Sequence, residues 1–397
     1  MALSAGPAPP EASGHVPCYI GFPMIHPTNP KKTFPFLAGL LLLTAGCSEY
    51  QKFDSVGFLR QEYAKRIGND AAAQTEVPFE LDPGIRGELE KIQRLDSGSE
   101  LRRINQVTNF IFDGLALEYS LKPTRNAVDT YRTRKGNCLS FVNLFVGVAR
   151  ERGLSPFYVE VTDYQKWNHR EGMVVSQGHI VAGLYLDGVL RTFDFLPYRA
   201  KAYKEFKPID DLTAAAHYYN NLGAEALMGG DLPTALENLT VAHEIAPGFD
   251  KAINNLGVAL ARGGETGRAL AMYEKGLAID PDNAMILTNM TRAYQQLGRI
   301  EDAEALLTRI EATNTTNPFF FIYQGEIALS RGESAKALDY MAKALRQDSE
   351  LPEVHLGLVK VYLALGEMDK ARHHLSRALK LDATNEDAIQ YARLLGQ

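Results

Sequence analysis

The sequence predicts an α+β domain followed by an all-α solenoid of helical repeats, behind a short apolar leader. Three observations carry that assignment. The C-terminal part repeats every 34 residues, in two residue columns that agree over five units. The middle of the chain reads as one apolar helix and then as alternating strands. Ahead of both, a basic pair precedes an apolar run that closes on a cysteine.

Composition narrows the classes. At 397 residues there is room for two or three domains. A net charge of −6 and a pI near 5.9, with no basic stripe, argue against a nucleic-acid partner. No apolar run reaches the ~18 residues of a mature membrane-spanning helix. Of the cysteines, Cys18 lies in a Pro/Gly-rich stretch, Cys47 ends the apolar segment, and only Cys138 falls in the globular part. A disulfide framework is therefore not expected.

The leader comes first. Lys31 and Lys32 precede the apolar run Phe34–Ala45, and Thr44-Ala45-Gly46-Cys47 closes it. A basic start, an apolar segment and a small-residue cleavage site describe a secretory signal. Ala-Gly-Cys also resembles the bacterial lipobox, although Thr44 stands where Leu is commonest. That resemblance implies lipidation of Cys47 as the mature N-terminus and membrane contact only through the lipid. With Ser48 next, it implies the periplasmic face of the outer membrane. Residues 1–23 fit no part of a signal, so Met24 is the expected start. The expected order is a leader (1–46), a helical segment (47–99), the α+β domain (100–212), five repeats (216–385) and a closing helix (386–397).

In the repeats, Ala235, Ala269, Ala303, Ala337 and Ala371 form one column, and Gly230, Gly264, Gly298, Gly332 and Gly366 another. Glycine ends the first helix of each unit, and the small alanine lets the second pack closely against it. Through segments such as 254–283 the chain resembles the tetratricopeptide family, whose helix–turn–helix unit has this period. The resemblance implies a protein partner held by the array. Ala388, Tyr391, Leu394 and Leu395 supply an amphipathic closing face. Asn221, Asn255 and Asn289 make a third column, suited to hydrogen-bonding an extended peptide backbone along the groove. The alternative is that Asn before Leu-Gly is a packing habit of such repeats. Tyr323 and Gly357 break the column in the last two units.

The α+β domain carries the chemistry. Residues 51–120 read as helical, with amphipathic runs over Gly87–Leu95 and Glu100–Leu117. From Cys138 to Arg150 the chain is apolar almost all round, as in a helix buried in a core. Asn137 is its N-cap and Gly153 its stop. Cys138 thus sits in the first turn, where unpaired N–H groups favour a thiolate and can serve an oxyanion.

Strands follow over Phe157–Val161, His179–Leu186 and Val189–Phe195, the last two joined by an Asp187-Gly188 turn. That turn sets Val181 opposite Asp194 and makes His179 a diagonal neighbour of Asp194 on one face. Ile180, Ala182, Leu184, Leu186, Val189, Phe193 and Phe195 occupy the packed face. His169, in the polar run Lys166–Arg170, is expected in a loop over the site, touching substrate at most.

A thiol heading a helix, with a His-Asp pair on consecutive strands, resembles the transglutaminase-like superfamily over residues 100–200. The resemblance implies Cys138 as nucleophile, His179 as general base and acid, and Asp194 as orienting carboxylate. It implies an acyl-enzyme formed on peptide or protein amides. Water as acceptor makes a protease or amidase; an amine makes a transamidase. No EF-hand loop or metal-ligand cluster is legible, so the expected chemistry needs no metal or cofactor. The superfamily also holds members without catalysis. A second reading is therefore a periplasmic scaffold whose repeats recruit partners around a structural thiol domain. A redox role for Cys138 is a third, but no resolving cysteine lies near it in sequence.

Overall fold

A computed structural model of the protein describes residues 19–20, 56–93, 99–170, 173–196, 203–312 and 317–396. Cys18, Met24 and Cys47 lie outside the described residues. Contacts divide the chain into two compact units, residues 1–164, 178–229 and 233–252, and residues 165–177, 230–232 and 253–397.

In the first unit, helices α1 (Val56–Ile67), α2 (Asn69–Gln74), α3 (Pro83–Gln93) and α4 (Glu100–Thr108) precede α5 (Ala127–Thr133) and α6 (Cys138–Glu151). A single π turn, Asn109–Asp113, extends α4. Every residue of α6 from Leu139 to Ala149 is buried, which its all-round apolar sequence requires. Gly147 allows the closest approach. A Cβ there would lie 2.3 Å from the Phe79 carbonyl oxygen, so α6 packs directly on the backbone of residue 79.

The sheet comprises β1 (Tyr19–Ile20), β4 (Phe157–Arg170), β5 (Met173–Leu186), β6 (Val189–Asp194) and β7 (Phe206–Ile209), in the order β1-β6-β5-β4-β7. A short parallel pair, β2 (Glu118–Tyr119) and β3 (Lys135–Gly136), leads into α6. β5 pairs with β6 from Ala182↔Phe193 to Leu186↔Val189, the register that the Asp187-Gly188 turn implies. Both turn residues have positive φ, 51° and 75°, as a two-residue hairpin loop of this hand needs.

Ile180, Ala182, Leu184, Leu186, Phe193 and Phe195 are buried in one core with α6. Val189 is not; it is 42% exposed, because it sits beside the turn where the covering layer ends. Phe157, Val159, Val161 and Val181 form a smaller cluster on the other face.

One further expectation needs correction, and one strand was not foreseen. β4 continues through Arg170 and β5 begins at Met173, so the backbone at His169 is strand rather than loop. Antiparallel neighbours satisfy each other's backbone groups without apolar cover, so a polar run can extend a hairpin. β7, which pairs Tyr158↔Ile209 to Val161↔Phe206, was not legible. It is four residues long and contains Pro208, which only an edge strand accepts readily.

Helices α7 (Asp211–Met228) and α8 (Leu232–Ile245) form the first pair of the repeat pattern. Ala214–Ala216, Tyr218, Tyr219, Ala242, Ile245 and Phe249 belong to the same core as α6 and the sheet. At the far end of α6, Arg150 Nη2 donates to Asp211 Oδ1 at 2.8 Å.

In the second unit the pairs continue as α9 (Asp250–Arg262) with α10 (Thr266–Ile279), and α11 (Ala284–Gln296) with α12 (Ile300–Ala312). Then come α13 (Pro318–Ser330) with α14 (Ser334–Gln347), α15 (Pro352–Ala364) with α16 (Met368–Leu381), and a closing α17 (Glu386–Leu395). The five column glycines have φ between 71° and 82°, the left-handed region that glycine enters most cheaply, so each ends its helix. The five column alanines are at most 1% exposed. In α17, Ala388 and Leu395 pack on α15 and α16, whereas Leu394 is 71% exposed. No helix among the described residues is long and apolar enough to cross a membrane.

Candidate active site

Cys138 is the first residue of α6, and it is partly exposed. The chain reaches it through β3. Gly136 has no room for a side chain, since a Cβ would stand 2.5 Å from Ser140 Cβ. Asn137 then caps the helix; its Oδ1 accepts the Ser140 N–H at 3.0 Å and the Ser140 hydroxyl at 2.9 Å.

A buried chain of hydrogen bonds holds that cap. Asn137 Nδ2 donates to Thr124 Oγ1 at 2.7 Å, and Thr124 donates through Oγ1 to Glu225 of α7 at 2.7 Å. The Thr124 N–H also donates to Glu225, at 2.9 Å. Burial raises the Glu225 pKa, and the Thr124 donors work against that rise.

His179 lies on β5 and is 1% exposed. Its Nε2 is 2.9 Å from Asp194 Oδ1. The imidazole also hydrogen-bonds the Cys138 thiol. With Nε2 occupied by the carboxylate, Nδ1 is the nitrogen left to exchange a proton with sulfur. Burial opposes a charge on this ring, but hydrogen bonds to Asp194 and Cys138, and their charges, raise its pKa from 6.5 to about 10. A His179 proton is therefore held across the neutral range.

Asp194 receives two further donors, the Leu196 N–H on Oδ1 at 3.1 Å and the Tyr203 hydroxyl on Oδ2 at 3.0 Å. Burial works against its ionisation, yet His179 and these donors hold its pKa below 3.8. Tyr203 also faces the imidazole, with ring centroids 5.3 Å apart. No sequence rule pointed to Tyr203, which lies nine residues past Asp194 in irregular chain.

The structure thus brings Cys138, His179 and Asp194 together. The asparagine column is arranged differently. Asn289 Nδ2 donates to Asn254 Oδ1 at 2.8 Å, and Asn254 Nδ2 donates to Asn255 Oδ1 at 3.1 Å. Fully buried Asn254, outside the column, therefore joins two of its members. Asn221 is half-buried on α7, in the other unit.

Residues 90–194 match the model of the transglutaminase-like superfamily, and residues 260–318 and 328–397 match that of the tetratricopeptide repeat. The chain joins a transglutaminase-like domain to tetratricopeptide repeats. The transglutaminase-like match contains Cys138 and His179 and ends on Asp194. The tetratricopeptide repeats are of a kind that mediates protein–protein interaction.

Among curated proteins, the chain is similar to the TPR repeat-containing protein YpiA of Bacillus subtilis (strain 168). The two are 27% identical over 174 residues, 43% of this chain and 39% of that protein. It is also similar to the cellulose synthase operon protein C of Xanthomonas axonopodis pv. citri (strain 306), 27% identical over 199 residues, 46% of this chain and 13% of the other. The chain thus spans less than half the length of either relative. Among solved structures, TTC0263, a thermophilic TPR protein of Thermus thermophilus, aligns with a TM-score of 0.41 and 22% identity. That alignment covers 46% of this chain and all of the other.

Proposed function

We propose that the transglutaminase-like domain is a thiol acyl-transfer enzyme acting on peptide or protein amide bonds. The observation that carries this is the placement of one imidazole between the Cys138 thiol, at a helix N-terminus, and the Asp194 carboxylate. In the proposed cycle, Cys138 sulfur attacks the amide carbonyl, and N–H groups of the first turn of α6 support the oxyanion. The C–N bond breaks as His179 gives its proton to the leaving amine, and a thioester remains on Cys138. Water or a second amine then gives its proton to His179 and takes the acyl group. Asp194 keeps Nδ1 aimed at sulfur throughout.

The repeats would hold the protein that carries the amide, or a partner that delivers it, with Asn221, Asn255 and Asn289 as candidate backbone contacts. The lipobox-like segment supports anchoring through Cys47 at the periplasmic face of the outer membrane.

Iodoacetamide labelling of Cys138 as a function of pH tests the chemistry. Rapid labelling near pH 6 that slows at least tenfold in His179→Ala is expected of an imidazole-coupled thiolate, because the free thiol ionises only near ~8.5. Labelling indifferent to His179 would favour the scaffold reading, in which the thiol domain is structural.

A further inference from the structure

β6 ends at Asp194, and β7 begins at Phe206 on the far side of β5 and β4. The chain between them therefore has two strands to cross. Tyr203 is where that crossing meets the thiol site.

Two anchors fix this residue. Its ring packs against the small apolar cluster of Phe157, Val159, Val161 and Val181, which is separate from the core shared with α6. Val181 is two residues from His179 and so lies on the same face of β5. The chain just after Tyr203 is bound to β4. There the Thr162 N–H donates to the Glu205 carbonyl at 3.2 Å, the Thr162 hydroxyl donates to the Glu205 carboxylate at 3.1 Å, and Val161 pairs with Phe206. The Phe206 ring meets that of Tyr203 edge-on, with centroids 6.3 Å apart. All of these residues belong to the first unit.

So held, Tyr203 touches both members of the His-Asp pair. Its hydroxyl donates to Asp194 Oδ2 at 3.0 Å, while His179 Nε2 and the Leu196 N–H meet Oδ1. A carboxylate held at one oxygen still turns about its Cβ–Cγ bond, whereas a donor on each oxygen fixes its plane. The Tyr203 ring, 5.3 Å from the imidazole, backs a side chain that is only 1% exposed.

A side chain that exchanges protons needs neighbours that are themselves locked by packing. We propose that Tyr203 is a positioning residue of the thiol site. Its hydroxyl sets the plane of the Asp194 carboxylate, its ring keeps the imidazole against that carboxylate, and the second apolar cluster holds Tyr203 in place for both. The inference rests on the thiol chemistry proposed above and gives that cluster a role in it.

The direction of the effect is discriminating. A donor also draws charge from a carboxylate and so weakens its pull on the imidazole. Charge withdrawal alone predicts faster labelling of Cys138 in Tyr203→Phe, because the carboxylate then holds more tightly the proton that sulfur gives up. Positioning predicts slower labelling.

The test uses the full chain, with iodoacetamide labelling read on the peptide that contains Cys138. Tyr203→Phe keeps the ring and removes the hydroxyl. At pH 6 it should label roughly threefold to tenfold more slowly than wild type, a smaller loss than in Asp194→Asn because the carboxylate stays. In a His179→Ala background the same change should have no effect, since it acts through the imidazole. Proton NMR supplies a second readout. The low-field signal of the His179 N–H held by Asp194 should be sharp in wild type and broadened by exchange with water in Tyr203→Leu, which removes the ring. Labelling of Tyr203→Phe as fast as wild type or faster, an equal loss without His179, or an N–H signal equally sharp in Tyr203→Leu would each overturn the proposal. If His179→Ala itself leaves labelling unchanged, the thiol chemistry is what fails, and the N–H signal alone decides whether Tyr203 holds the pair.

Discussion

Replacing Asp194 by Asn keeps the shape of the side chain and removes what the site uses. Three donors converge on this carboxylate, from His179 at 2.9 Å, Leu196 at 3.1 Å and Tyr203 at 3.0 Å. A carboxylate accepts all three. A carboxamide has one oxygen, and its NH₂ must face at least one of the donors. Hydrogen bonds to a charged group contribute about 1.5–3 kcal/mol, so Asp194→Asn should cost stability of about that size near pH 6. If the same energy orients His179, iodoacetamide labelling of Cys138 slows by roughly 10- to 100-fold.

The pH dependence discriminates further. The lowered Asp194 pKa gives stability that is present above its ordinary value of 3.8 and lost as pH falls through the folded value. The raised His179 pKa gives stability that is fully present below 6.5 and lost as pH rises through about 10. The advantage of wild type over Asp194→Asn, measured by urea unfolding, should therefore be widest between about pH 4 and 6.5 and narrow above about pH 10, where the Leu196 and Tyr203 donors alone remain. An equal difference at pH 5.5 and 10.5, or an unchanged labelling rate, would refute the coupling of these two groups.

Gly147→Ala should lower stability by about 1–3 kcal/mol, since the added methyl meets a backbone carbonyl that cannot swing aside; an unchanged urea midpoint would contradict the close packing of α6. Burial and the neighbouring His355 and His373 lower the His374 pKa to about 4. Folded repeats thus resist a proton that the unfolded chain accepts, and stability should fall as pH drops from 6.5 towards 4. His374→Asn should flatten that slope in hydrogen exchange of α15 and α16; an identical slope rules the idea out. A chain ending at residue 212 loses Tyr218, Tyr219, Ile245 and Phe249 from the core, whereas one ending at 252 keeps them. Near-UV circular dichroism should show fixed packing only in the longer form, and fixed packing in both would overturn the shared core.

Much of this was legible because it rests on period and local chemistry. A 34-residue repeat of Gly and Ala imposes helix ends and close crossings wherever it occurs. A two-residue Asp-Gly turn fixes the register, and register alone sets His179 and Asp194 on one face. What escaped notice depends on chain that returns from far away. Tyr203 reaches Asp194 from an irregular segment, and Asn254 joins the asparagine column only because helices of successive repeats meet there. Likewise β4 continues past its apolar stretch because its backbone has a neighbour, which no hydropathy pattern records.

The 34-residue period places α7 in the solenoid, but its contacts place it in the core of the thiol domain. Its Glu225 holds Thr124, Thr124 holds Asn137, and Asn137 caps the helix on which Cys138 is the next residue. The chain is hydrogen-bonded at each step and is buried along its middle, at Thr124 and Asn137. Such a network loses more when one member moves than any single bond would suggest, because each orphaned group is left unsolvated. Glu225 of α7 is thus linked through Thr124 and Asn137 to the Ser140 N–H in the first turn of α6. The first helix pair is in this sense a support of the candidate site as well as the start of the repeats.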